Sequence, residues 1–252
     1  MTIAFLHLRD TDNIGDRWCS PYDWFDWPES AEVRDLRKPG APYDIGVYGG
    51  GKIFGGLASN PGVVRKPGAL HIAWGVGTLQ NFPISLKYAR ARAMCTLVGS
   101  RDRGDDRYAY SPCVSCMAPQ FDNPPPPRHS VVFYAHAGKT DRQGITVPSH
   151  YPIMTNNGSS HADALSFIAS GETVVSNSYH GVYWALLMGR RVICLPFSRK
   201  FSAFHAAPHF SSPKRWESEL NQGVMHPEML TECRAAVWAF KQQVDGMIAR
   251  HS

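Results

Sequence analysis

The strongest constraint on the fold is a strand, a helix and a second strand that follow one another between residues 172 and 195, with connections of only a few residues. The segments 172–176 and 191–195 are apolar and rich in β-branched residues, and a nearly continuous apolar run fills 179–188 between them. Two strands joined through a helix lie parallel in one sheet. This unit therefore predicts an α/β fold.

The first half of the chain repeats the alternation of apolar runs and small polar connections. Apolar runs predict strands that begin near residues 2, 43 and 69, and each run ends in glycines or small polar residues. Good helix formers fill 84–95, and a further short strand is predicted within 96–106. Alternation of this kind predicts parallel sheets with crossover helices.

Four consecutive prolines, Pro124 to Pro127, interrupt the alternation. Such a run sustains neither a helix nor a central strand, so we expect a boundary there between an N-terminal domain, 1–122, and a C-terminal domain, 129–252. The segment 227–249 carries apolar residues on one helical face and begins with a proline suited to a first turn. We expect this C-terminal helix to pack back across the domains.

Composition excludes several classes of protein. The 252 residues are 43% hydrophobic and 19% charged, which is typical of a globular chain, and the net charge of +5 is not clustered as nucleic-acid binding would require. The chain has no apolar run of membrane-spanning length and no basic leader, so we expect a cytoplasmic protein. Of six cysteines only Cys113 and Cys116 lie close together, without a second metal-ligand pair, so we expect reduced thiols and no metal.

Polar and glycine residues concentrate where the predicted strands end. In open parallel sheets, ligands bind in the crevice at the carboxyl ends of the strands. Asn177 and Ser178 follow a strand and are good N-cap residues for the next helix, whose N-terminus favours an anion by about 0.3–1 kcal/mol. His180 lies beside them. Two interpretations stay open: a binding site, or helix capping combined with a hydrogen-bonded core histidine.

A set of motifs in fixed order resembles the polysaccharide pyruvyltransferase family. The motifs, between residues 13 and 196, are NIGD, GGGKIFGG, GVGT, RDRGD and DALSFIASGETVVSNSYHGVYWALLMGRRVICLP. The resemblance implies two Rossmann-like domains in a GT-B-like arrangement, with the acceptor on the N-terminal side and the donor on the C-terminal side. It further implies an enzyme that moves pyruvate from phosphoenolpyruvate onto a pair of sugar hydroxyls as a ketal, in the biosynthesis of exopolysaccharide.

The resemblance also suggests residue roles. His180 is the candidate acid. Asp16 is either the base or a residue whose side chain stabilises the turn, and the second role is the one that we expect for Asn13. Some family members have an arginine where this chain has Ser178, so another cation has to bind the donor anion. The residues expected to contact substrate are Asn13, Gly15, Gly50, Gly51, Lys52, Arg101, Asn177, Ser178, Arg199 and Lys200.

Two other functions are consistent with the sequence. One is a GT-B glycosyltransferase that uses a nucleotide sugar. The other is a non-catalytic carbohydrate-binding protein, because Trp18, Trp24, Phe25 and Trp27 could stack on sugar rings. For the favoured function the expected partners are phosphoenolpyruvate, as a donor substrate rather than a cofactor, and a glycan or lipid-linked oligosaccharide. The lipid-linked acceptor leaves peripheral association with the inner face of the membrane open.

Overall fold

A computed structural model describes residues 1–51, 53–64, 66–78 and 86–251. The chain divides into two compact units. The first unit comprises Met1–Thr11, Asp16–Met117 and Cys233–Ser252, and the second comprises Asp12–Gly15 and Ala118–Glu232. The domain limits 1–122 and 129–252 stay a prediction.

The first unit contains a six-stranded sheet in the order β2-β1-β3-β4-β5-β6, with every neighbouring pair parallel. Its strands are β1 (Ile3–His7), β2 (Ala31–Asp35), β3 (Ile45–Gly49), β4 (Leu70–Val76), β5 (Leu97–Ser100) and β6 (Ala109–Tyr110). Strands β1 and β3 are buried along their whole length, which explains why they are apolar at every position rather than at alternate ones.

Helices cover the first sheet and complete its core. The α-helices of the described residues, in both units, are α1 (Ile14–Arg17), α2 (Leu86–Met94), α3 (His161–Ala169), α4 (Tyr179–Leu187) and α5 (Met229–His251). Tyr88 of α2 packs edge-to-face on Phe54 at 5.6 Å between ring centroids. Phe240 of α5 packs in the same manner on Trp74 of β4 at 5.0 Å. The C-terminal helix therefore contributes a buried aromatic ring to the first unit.

The second unit contains a five-stranded parallel sheet in the order β11-β10-β9-β7-β8. Its strands are β7 (His129–Ala135), β8 (Ile153–Thr155), β9 (Gly171–Ser176), β10 (Arg191–Cys194) and β11 (His209–Phe210). All nine residues of α4 are buried, as expected for a helix that is apolar on every side. The predicted strand–helix–strand unit and the α/β class with parallel sheets are confirmed.

None of the helices within the described residues has both the length and the apolar character needed to cross a membrane.

Candidate functional site

The candidate site of the second unit lies where β9 ends and α4 begins. Ser178 is the N-cap of α4, and its hydroxyl oxygen accepts a hydrogen bond from the Gly181 backbone N–H at 3.5 Å. The Ser178 backbone N–H donates in turn to Ser176 Oγ at 3.0 Å, and Ser176 Oγ donates to the Tyr134 carbonyl oxygen at 2.6 Å. The serines therefore fix the direction in which α4 leaves the sheet.

Asn177 is fully buried and holds the loop that follows β7. Its Oδ1 accepts from the His136 backbone N–H at 2.7 Å, and its Nδ2 donates to Gln143 Oε1 at 2.8 Å and to Thr140 Oγ1 at 3.2 Å. Both ends of the amide are thus engaged by the protein. Asn177 positions the loop beside the site, and its predicted contact with substrate would require one of these bonds to open.

His180 lies in the first turn of α4 and is 6% exposed. Its ring packs edge-to-face on Tyr179 at 5.6 Å and at an angle on Trp184 at 5.3 Å between centroids. Gly15 lies against the same ring: a Cβ added there would have Nδ1, Cγ and Cε1 of His180 all within 2.8 Å. Because no side chain fits in that space, glycine is required at position 15.

The Asp12–Gly15 segment is hydrogen-bonded to Asn156, the residue that follows β8. Asn13 Oδ1 accepts from Asn156 Nδ2 at 3.0 Å and from the Gly15 backbone N–H at 3.2 Å, and the Ile14 N–H donates to the Asn156 carbonyl at 3.0 Å. These bonds give Asn13 the structural role that we expected from its type. They also hold Gly15 of the NIGD motif against the imidazole of His180, which is far from it in the sequence.

Lys200, one of the predicted cations, lies near this junction. Its ammonium nitrogen is 4.6 Å from the Phe197 ring centroid and 5.9 Å from that of Tyr179, the first residue of α4. Burial lowers the pKa of His136 to about 4, and the charges of Lys200 and Lys139 contribute to that shift. His136 is therefore neutral at pH 7. The neighbouring Arg199 is exposed.

The first unit contains a second group of predicted site residues. Arg101 follows β5, is 4% exposed, and lies against Gly51: its Nη1, Cζ and Nη2 are all within 2.5 Å of a Cβ added there. Gly50 has a φ of 108°, which favours glycine, and its Cβ position is 2.7 Å from Cys19 Sγ. The glycine loop therefore allows close approach of a guanidinium. Lys52 lies outside the described residues.

Asp16 and Arg101 act on the same pair of buried thiols. Burial is the main cause that raises the pKa of both Cys19 and Cys113; the carboxylate of Asp16 also raises these pKa values, and the Arg101 guanidinium opposes it. Cys19 Sγ donates to the Asp16 carbonyl oxygen at 2.8 Å. The thiols are therefore protonated at neutral pH and too weakly acidic to serve as nucleophiles.

The structure thus collects the predicted residues into two groups, one in each unit. Asn13, Gly15, Asn177, Ser178, His180 and Lys200 belong to the second unit, whereas Asp16, Gly50, Gly51 and Arg101 belong to the first. Sequence reasoning did not assign roles to Thr140, Gln143 and Asn156. Their position after β7 and β8, at the carboxyl ends of parallel strands, is the signal that could have found them.

All six cysteines are free thiols, and Cys113 and Cys116 are buried. Over the described parts of the chain, no group of three or more His, Cys, Asp or Glu side chains is arranged to hold a metal ion. Cys113 Sγ instead lies 3.3 Å from Ser115 Oγ.

Comparison of the chain with family models, with curated proteins and with solved structures finds no match. The site therefore has to be interpreted from its own geometry.

Proposed function

We propose that this protein is a pyruvyltransferase that moves pyruvate from phosphoenolpyruvate onto two hydroxyls of a sugar in a polysaccharide or its lipid-linked precursor. A GT-B-like arrangement of two Rossmann-like domains is part of the proposal. The observation that carries it is the packing of Gly15 on the His180 imidazole. Gly15 and the candidate acid His180, which belong to two of the motifs that carry the resemblance, are thereby in contact.

The donor requires cationic groups, because phosphoenolpyruvate carries both a phosphate and a carboxylate. In the second unit, the N-terminus of α4 and the Lys200 ammonium lie at one junction. In the first unit, Arg101 offers a planar fork of donors that matches either anion. These groups are the candidates that replace the arginine absent at position 178.

The transfer needs one acid and one base. In the proposed reaction His180, in its imidazolium form, protonates the methylene carbon of phosphoenolpyruvate, which leaves an oxocarbenium-like C2. One sugar hydroxyl attacks C2 and gives its proton to a base, for which Asp16 is the candidate. The second hydroxyl then forms the other C2–O bond as the bond from C2 to the phosphate oxygen breaks, and its proton goes to the departing phosphate. The products are a pyruvate ketal and inorganic phosphate.

The test is phosphate release from phosphoenolpyruvate in the presence and absence of glycan repeat units from the producing organism. We expect release only with glycan, and a loss of about 10²–10⁴-fold in His180→Asn. His161→Asn is the matched control, because His161 is also buried and packs on the same Trp184 ring at 5.2 Å. Equal activity in the two variants, or no turnover with any repeat unit, would overturn the proposal.

A second candidate is a carbohydrate-binding protein in which His180 only supports the Asp12–Gly15 segment; the 6% exposure of His180 favours it. Thermal stability separates the candidates, because a ligand stabilises the state that it binds. Stabilisation by phosphoenolpyruvate favours the transferase. Stabilisation by glycan alone favours the binding protein, and stabilisation by a nucleotide sugar alone favours a glycosyltransferase.

A further inference from the structure

The aromatic segment 18–27 has no role in the proposed transfer, although it contains five aromatic residues. Two of them anchor the segment to the core of the first unit: Tyr22 and Trp27 pack on Phe5 of β1 at 5.4 and 4.7 Å between ring centroids. Trp27 Nε1 also donates to the Pro21 carbonyl at 3.2 Å. The segment is therefore held in place while other side chains face two cavities.

The two cavities lie within the first unit and share one residue. The first, of about 520 Å³, is lined by Arg9, Arg17, Trp18, Asp23 and Glu32 among others. The second, of about 500 Å³, is lined by Asp23, Trp24, Phe25, Asp26, Trp238 and Lys241. Because Asp23 lines both, the cavities adjoin. We call them together the aromatic groove, and each part has the volume of a small-ligand site.

The charges of the groove are balanced rather than of one sign. Two arginines and two acidic residues line the first cavity, and one of the acidic residues, Glu32, pairs with Arg34. In the second, Lys241 is mostly buried and pairs with Asp245 at 2.7 Å, which leaves the carboxylates of Asp23 and Asp26 as acceptors. Such a lining offers donors and acceptors for hydroxyl groups without a net attraction for an anion.

Trp238 supplies an apolar platform at one end of the groove. Its side chain is 49% exposed, and its ring lies edge-to-face on Phe25 at 5.0 Å, so one side is supported by the protein and another remains open. Lys241, one turn further along α5, lies over the rings of Phe25 and Trp27 at 5.4 and 4.5 Å. The platform is therefore positioned before any ligand arrives.

We infer that the aromatic groove binds an uncharged oligosaccharide, with sugar rings in both cavities and the Asp23 carboxylate accepting hydroxyl hydrogen bonds where they join. An indole stacks on the C–H face of a sugar, while carboxylates and guanidinium groups bind its hydroxyls. Asp23 is exposed, so its carboxylate is accessible to the hydroxyls of a ligand. The protein atoms around it raise the pKa of the carboxyl, and the charge of Arg9 opposes that shift. The inference that the groove binds an oligosaccharide is drawn from the two cavities alone. Only the further step, that this oligosaccharide is the acceptor of pyruvate, rests on the proposed function.

The experiment uses the full chain and a panel of mono-, di- and trisaccharides of gluco, galacto and manno configuration, with calorimetry on each pair. We expect at least one oligosaccharide to bind more tightly than its monosaccharide, because two cavities are occupied. Trp238→Ala and Asp23→Asn each weaken that binding by about tenfold. Met225→Ala is the control, since Met225 is 47% exposed and belongs to the second unit, and we expect no change there.

Absence of binding across the panel, unchanged affinity in both groove variants, or selective binding of peptides instead would overturn the inference. The proposed transfer fails separately. If Trp238→Ala weakens glycan binding but the parent protein releases no phosphate from phosphoenolpyruvate, the groove is supported and the transferase is ruled out. Phosphate release whose KM for glycan is the same in Trp238→Ala and Asp23→Asn as in the parent supports the transferase and rules out the groove as its acceptor site.

Discussion

Replacing Gly15 by alanine tests whether the Asp12–Gly15 segment and His180 form one packed unit. The added Cβ would place three ring atoms within 2.8 Å, whereas ordinary contacts begin at about 3.4 Å. Even the farthest of these atoms must therefore move by about 0.6 Å. The segment cannot yield freely, because three hydrogen bonds tie Asn13, Ile14 and Gly15 to each other and to Asn156.

The expected loss of unfolding free energy is about 2–3 kcal/mol. Overpacking of a buried site costs about 1–3 kcal/mol, and each hydrogen bond of the segment that breaks adds about 1 kcal/mol. Urea denaturation measures the loss. Gly138→Ala is the matched control, because no described atom outside its chain neighbours lies within 4 Å of that Cβ position and its φ is not positive. We expect the control to change stability by less than about 1 kcal/mol.

A double-mutant cycle identifies the clash as the cause. In His180→Ala the ring that the added methyl group would meet is gone, so Gly15→Ala should be tolerated in that background with a coupling energy of at least about 1 kcal/mol. The reasoning is refuted if Gly15→Ala is as stable as Gly138→Ala, or if its effect is the same with and without the imidazole.

Two further predictions concern other buried groups. Gly51→Ala should displace the Arg101 guanidinium and lower the unfolding free energy by about 1–3 kcal/mol, as measured by urea denaturation. Gly56→Ala is the control and should not destabilise the protein, because its Cβ would meet its nearest atom at 3.6 Å. Equal losses in the two variants would contradict this prediction. Burial lowers the pKa of His161 to about 4, so the unfolded state takes up a proton as the pH falls below about 6.5 while the folded state does not. His161 should therefore account for about 2 kcal/mol of the fall in stability from pH 7 to pH 5, in addition to the contributions of His7 and His136, whose pKa values are also lowered to about 4. His161→Leu should lack that part of the decline; an identical pH profile in the variant would refute the assignment.

The sequence was sufficient to predict elements that have a continuous apolar run or one apolar helical face. The strands β1, β3, β4, β9 and β10 and the helix α4 coincide with predicted apolar runs, and the helix α5 coincides with the segment predicted from its apolar face. Strand β2 was missed because it lies at the edge of its sheet, and only Asp35 of its five residues is buried. Strands β6 and β11 contain two residues each, which is too short for any period to show.

The organisation of the site could be predicted only in part. The end of a parallel strand predicted where polar residues would gather, and Ser178 caps α4 as its type indicates. The assignment of Asp12–Gly15 to the second unit could not be predicted, because it depends on the bond between Asn13 and Asn156, 143 residues apart. No local pattern carries information about a pairing at that separation.

The polar residues at the N-terminus of α4 are of two kinds: some make hydrogen bonds that stabilise the fold, and others are available to bind or react with a ligand. Asn177 and Ser178 make their hydrogen bonds to the protein, so the affinity for an anion has to come from other groups. A helix N-terminus contributes about 0.3–1 kcal/mol, whereas micromolar binding needs about 8 kcal/mol. Cationic side chains must therefore supply most of the difference, which makes Lys200 and Arg101, rather than the polar residues at the N-terminus of α4, decisive for whether phosphoenolpyruvate is the ligand.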